Sequence, residues 1–159
     1  MTPSTPTPAL LRLLIVEDNA DRIERFRSWL PADAHPVFAT GAGRALGILR
    51  RCGRDPRDRR RRSLDYAGLL LDHDLVEQVA AEGEEGFSGS HVTAAVIERI
   101  SVEVPILIHS MNLTRARAMQ SRLEQAGFWV TRIPMSALNQ DRLLAWLDEV
   151  RENWCDLTR

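Results

Sequence analysis

The feature that most constrains this chain is a fivefold alternation. Short apolar runs and longer amphipathic stretches follow one another from residue 10 onward. The apolar runs are "LLRLLIV" (10–16), "HPVFA" (35–39), "YAGLLL" (66–71), "VPILIHS" (104–110) and "FWVTRI" (128–133). They are short and nearly continuous in apolar residues, as strands buried on both faces are. The stretches between them carry helical spacing. In 20–30, Ile23, Phe26, Trp29 and Leu30 recur at that spacing, and Pro31 ends the run. Thr40 is placed to cap a second helix bearing Ala45, Leu46, Ile48 and Leu49, with Gly43 and Gly47 as weak points. Three more follow over 88–100, 113–127 (closed by Gly127) and 138–154. Alternation of this kind predicts one α/β domain, a five-stranded parallel sheet with helices on both faces. Such a sheet binds ligands in the crevice beyond the carboxyl ends of its strands.

The 159 residues suit one compact domain, here drawn from 10 to 155. Residues 1–9, rich in Pro and Thr, read as a short disordered tail. The net charge of −1 provides no global field toward nucleic acid or anionic lipid. All 21 basic residues are arginine, which excludes any mechanism needing a catalytic lysine. Eight of them crowd residues 50–62, "RRCGRDPRDRRRR". Contact with nucleic-acid phosphates is open to such a run. No aromatic residue interleaves it before Tyr66, so a solvated loop is the favoured reading. Residues 76–87, acidic and glycine-spaced, read as a loop near a strand end. Cys52 and Cys155 lie far apart without metal-type spacing, which fits a reducing, cytoplasmic compartment. The start lacks the pattern of a secretory signal, and no stretch is long enough to span a bilayer.

The strand-end rule picks out the polar residues. Glu17 and Asp18 end the first apolar run, Asp72, His73 and Asp74 the third, and His109 and Ser110 the fourth. Three segments thus deliver ionisable groups to one edge. Glu17, Asp18 and Asp72 would repel one another unless a cation sat among them. Mg²⁺ or Mn²⁺ suits such oxygen donors. "EDNADR" also fits a helix start, where acids complement the dipole, and the two roles can coexist. Asp74 alternates with Asp72 and is open equally to a loop role, holding backbone amides. His73 and His109 can exchange protons near neutral pH, as phosphoester cleavage requires. Ser110 and Asn112 can bind phosphate oxygens, and Asn112 can equally cap the helix that follows it. Ser88 and Gly89, in "GFSG", open a helix where backbone amides can meet an anion.

These residues also carry a likeness. "LLIVEDN", "LLLDHDL", "VPILIHS" and "RIP" resemble the successive strand ends of response-regulator receiver domains, from residue 11 onward. The resemblance implies a (βα)5, flavodoxin-like sheet of strand order 2-1-3-4-5. It implies Mg²⁺ on Glu17 and Asp18, phosphate acceptance at Asp72, and a phosphoryl contact from Ser110. The receiver lysine is absent, since Ile133 precedes Pro134. "LDHDL", an "SG" helix start and "HSMN" more narrowly resemble the cyclic-phosphate-processing receiver-like domains. That likeness implies a metal-dependent phosphoesterase acting on a cyclic nucleotide or a cyclic-phosphate RNA end. The expectation is that Glu17, Asp18 and Asp72 hold the metal, and that Asp72, His73, Asp74 and His109 carry the chemistry. Ser88, Gly89, Ser110 and Asn112 would bind the phosphate. The rival expectations are a signalling receiver phosphorylated on Asp72 and a non-catalytic module that binds a protein partner.

Overall fold

A computed structural model of the chain describes residues 10–53, 62–74 and 88–159. The expected tail, most of the arginine-rich loop and the acidic loop lie outside the described residues. The element order is β1 (Leu11–Val16), α1 (Ala20–Trp29), β2 (Ala34–Ala39), α2 (Ala42–Arg51), β3 (Gly68–Leu71), α3 (Gly89–Arg99), β4 (Ile106–Ile108), α4 (Leu113–Gln125), β5 (Val130–Arg132) and α5 (Gln140–Leu157). The five strands form one parallel sheet of order β2-β1-β3-β4-β5, as expected.

Alternation along each strand sorts the apolar side chains into two cores. Leu14 and Val16, Leu69 and Leu71, and Ile106 and Ile108 face one side, with Leu46, Leu49, Val92, Val96 and Leu123 of the helices. Leu13, Ile15, Leu70 and Leu107 face the other, with Phe26 of α1 and Leu143, Trp146, Leu147 and Val150 of α5. Each such side chain, taken from water to full burial, contributes about 1.5–3 kcal/mol before conformational entropy is counted. Gly68 lets the sheet and α5 approach closely: a Cβ there would stand 3.0 Å from the Trp146 ring.

The helices start where their caps allow. Asn19, Asn112 and Asn139 each accept an amide of the first turn through Oδ1, at 3.1, 3.1 and 2.9 Å. For α2 the cap is Gly41, one residue beyond the Thr40 expected from composition. Gly127, at φ 102°, follows the end of α4 in the left-handed region that favours glycine. The strands are shorter than their apolar runs. β3 begins at Gly68 rather than Tyr66, β4 covers 106–108 of an expected 104–110, and β5 only 130–132.

Candidate functional site

Strand register builds the site. Val16 pairs with Leu71, and Leu71 with Ile108. The next residue on each strand is polar: Glu17, Asp72 and His109. The backbone continues the ladder there, with the Asp72 amide donating to Val16 O and the His109 amide to Leu71 O, both at 3.1 Å. Glu17 shares the parity of Ile15, Asp72 that of Leu70, and His109 that of Leu107. All three therefore turn to the face that packs against α1 and α5. Asp18 and Ser110 have the opposite parity.

The three side chains are buried together. Glu17 and His109 have no exposed surface and Asp72 only 1 %. Each offers a ligand atom, and these atoms lie within 4.8 Å of one another. The His109 Nε2 and Glu17 Oε2 are hydrogen-bonded at 2.8 Å. The edge of Phe26 meets the His109 ring at 5.1 Å between centroids. Glu17 Oε1 accepts the Asn19 amide at 3.1 Å. Burial works against the Glu17 charge. The His109 hydrogen bond and charge outweigh it, helped by the Asn19 amide and Arg22, and hold this carboxyl below its ordinary range.

Asp72 is the strained member in charge terms. Its Oδ1 accepts the Asp74 amide at 3.1 Å, but its buried Oδ2 has no hydrogen-bond partner. Burial first, and then the neighbouring Glu17, push its carboxyl above the ordinary aspartate value. His109 compensates this in part, then the Asp74 amide, and then the Arg22 guanidinium, whose Nη1 lies 3.5 Å from Asp72 Oδ2 and 3.8 Å from Glu17 Oε2. Two carboxylates with an unpaired buried oxygen fit a hard divalent ion, and Mg²⁺ takes one or two carboxylates with water completing its shell.

The other expected residues form a second layer. His73 and Asp74 are half-buried. Asp74 accepts the Ser110 hydroxyl at 3.4 Å and pairs with Arg115 at 3.6 Å. The His73 Nδ1 is buried without a partner. Burial, with the charge of Arg115, lowers the His73 imidazole below its ordinary value. Gly89 packs directly on His73: a Cβ there would meet its ring and its carbonyl oxygen at 2.8 Å. Ser88 caps α3, its amide donating to His91 Nδ1 at 3.0 Å. The Asn112 Oδ1 is spent on the Arg115 amide, so the capping role holds for that atom. Asp18 is half-buried beside the strand end and is not one of the three clustered ligand atoms.

Sequence reasoning missed Arg22, Phe26 and Arg115 as site neighbours. The signal for two of them was present: Arg22 and Phe26 stand four apart on α1 and share a face.

No protein-family model and no curated protein matches the sequence. Solved structures do. The signal receiver domain of an HD domain-containing protein from Pseudomonas fluorescens superposes with a TM-score of 0.65 at 14% identity, covering 100% of this chain and 99% of that one. This chain has the receiver fold. A CheY-like response regulator receiver domain protein from Methanospirillum hungatei gives 0.60 at 17% identity, over 93% and 99% of the two chains. The receiver domain of a sensor histidine kinase from Pseudomonas aeruginosa gives 0.60 at 18% identity, over 91% and 99%. That protein was crystallised with a magnesium ion coordinated in its active site cleft. Among the described residues, no helix is long and apolar enough to cross a membrane.

Proposed function

We propose that the chain is a cytoplasmic signalling receiver that carries a phosphoryl group on Asp72, with Mg²⁺ held by Glu17 and Asp72 and flanked by Asp18. The observation that carries this reading is the Asp72 Oδ2. It is a buried carboxylate oxygen without a donor, at the end of β3, beside a second acid and a guanidinium. Receiver-fold neighbours support signalling over hydrolysis. When bound, the metal supplies charge that stabilises a transferring phosphoryl group. The Asp72 carboxylate attacks the phosphorus of a small acyl phosphate, the bond from phosphorus to the acyl oxygen breaks, and the carboxylate leaves. The Ser110 hydroxyl, linked to Asp74, is available to a phosphoryl oxygen.

The second reading is hydrolysis of a cyclic nucleotide or a cyclic-phosphate RNA end with Mg²⁺ or Mn²⁺. It is favoured by His73, whose imidazole is lowered by burial and by Arg115 and whose Nδ1 has no hydrogen-bond partner, the state of a neutral base. In it, His73 takes a proton from the attacking water and returns it to the leaving sugar oxygen as the ring P–O bond breaks, Asp74 and Ser110 orient the water, and Ser88, Gly89 and Asn112 meet the phosphate. His109, hydrogen-bonded to Glu17 at 2.8 Å, holds that carboxylate in place in this reading. A third reading, a module that binds a protein partner without chemistry, is what remains if both fail.

One experiment separates them. The pure chain is incubated with acetyl phosphate and Mg²⁺ and weighed intact, and in parallel with 2′,3′-cyclic nucleotides and Mn²⁺. A single phosphoryl adduct that is lost in Asp72→Asn supports the receiver reading. Hydrolysis without an adduct, lost in His73→Gln, moves the conclusion to the phosphoesterase. If neither occurs, both chemical readings are wrong.

A further inference from the structure

Arg22 belongs to no motif singled out in the sequence, yet among the described residues it is the arginine that meets both acids. It sits in the first turn of α1, whose Asn19 cap also donates its amide to Glu17. Phe26, one turn on, is buried against His109, so the same flank of the helix brings Arg22 to the sheet edge. Its guanidinium lies 3.5 Å from Asp72 Oδ2 and 3.8 Å from Glu17 Oε2. Neither contact is a hydrogen bond, and Asp72 Oδ2 has none. The guanidinium thus compensates the acids by charge alone and keeps its donor fork uncommitted to them. Its side chain is 27% exposed, so it is not locked in the core as the two acids are.

Glu17 and Asp72 are also the carboxylates that would hold a divalent ion. Arg22 and the ion cannot both hold them, because cations at one pair of oxygens repel. Phosphorylated, Asp72 would carry about two negative charges where its carboxylate carries one, and would present three acceptor oxygens. A guanidinium suits that target better than it suits the acids, since its planar fork matches phosphate oxygens bidentately. The chain has no lysine to compete for the role, and the half-buried Ile133 precedes Pro134.

We propose that Arg22 is the phosphoryl-recognising residue of this site: it rests between Glu17 and Asp72 here, and turns to the phosphoryl oxygens when a divalent ion takes the two acids. The inference rests on the receiver reading above. It makes two expectations of opposite sign. Losing Arg22 leaves Mg²⁺ binding as tight as in the parent or tighter, because a competing cation is gone. The same loss weakens binding of a phosphoryl mimic.

The test is calorimetric titration of the full chain, first with Mg²⁺ alone and then with beryllium fluoride at saturating Mg²⁺. Parent, Arg22→Gln and Arg22→Lys are compared. The expected result is a beryllium fluoride affinity that falls about ten- to hundredfold in Arg22→Gln, the range for one lost hydrogen-bonded charge pair. Arg22→Lys, which keeps the charge without the fork, falls between. Equal affinity in parent and Arg22→Gln overturns the proposal. Proportional weakening of both ligands also overturns it, since that marks a merely structural role. If the parent takes Mg²⁺ but no beryllium fluoride, the receiver reading itself falls, and the inference with it.

Discussion

Replacing Asp72 with Asn should stabilise the protein while removing the centre of its site. The magnitude follows from the geometry. Asp72 and Glu17 offer oxygens within 4.8 Å of each other in a buried setting. Two unit charges at that separation repel by about 3 kcal/mol at an effective dielectric constant of about 20. His109 and then Arg22 return part of this, Arg22 less than its distance alone indicates, because it is partly in solvent. Asn keeps an Oδ1 for the Asp74 amide and removes the charge from the position of the unpartnered Oδ2. The expected net gain at pH 7 is about 1–2 kcal/mol, a rise in Tm of roughly 2–8 °C for a chain of this size. Differential scanning calorimetry with chelator present reads it directly. The sign with pH follows from linkage. Asp72 binds its proton more tightly in the folded state than in the unfolded chain, where aspartate titrates at about 3.9. The parent therefore gains relative stability as pH falls through the raised folded value toward the unfolded one, and loses it as pH rises. The advantage of Asp72→Asn should be widest at neutral pH and shrink on acidification. A variant melting at or below the parent at pH 7 refutes the reasoning.

Other substitutions test the supporting contacts. His109→Leu strands the buried Glu17 carboxylate and should cost about 2–4 kcal/mol by urea denaturation; Glu17→Met in the same chain should recover most of it. Gly89→Ala forces a methyl against the His73 ring and carbonyl, and should lower stability by about 1–3 kcal/mol; a neutral result would show that α3 is free to shift off β3. Arg151→Ala breaks the two-pronged pair with Asp33, with contacts of 2.9 and 3.1 Å, and should cost about 1 kcal/mol, less at high salt.

Much of this was legible in the sequence, for a reason visible in the strands. β1, β3 and β4 are so apolar that the first polar residue after each marks the sheet edge. Glu17, Asp72 and His109 were therefore found without any alignment. What was not legible depends on register across strands distant in sequence. Only the pairing of Val16 with Leu71, and of Leu71 with Ile108, turns His109 toward Glu17. Read on one strand alone, His109 is just a histidine beside Ser110. Arg22 was hidden differently: among 21 arginines its identity carries no signal, and only its face on α1 singles it out. Element ends slipped where apolar composition outruns pairing. Phe128 and Trp129 belong to the same run as β5, but the ladder takes only Val130–Arg132. Trp129 is left 70 % exposed.

The bond between His109 and Glu17 spans 92 positions of chain. It has a consequence for synthesis. As the polypeptide emerges, β1, β2 and β3 can pair in turn, each closing a modest loop. Glu17 and Asp72 then meet before the residue that relieves Glu17 has been made. The half-built sheet carries two crowded acids at its growing edge, and the arrival of β4 covers them. A chain stopped short of residue 109 thus has a reason to stay open at that edge, and completion of the fourth strand is rewarded by charge as well as by packing.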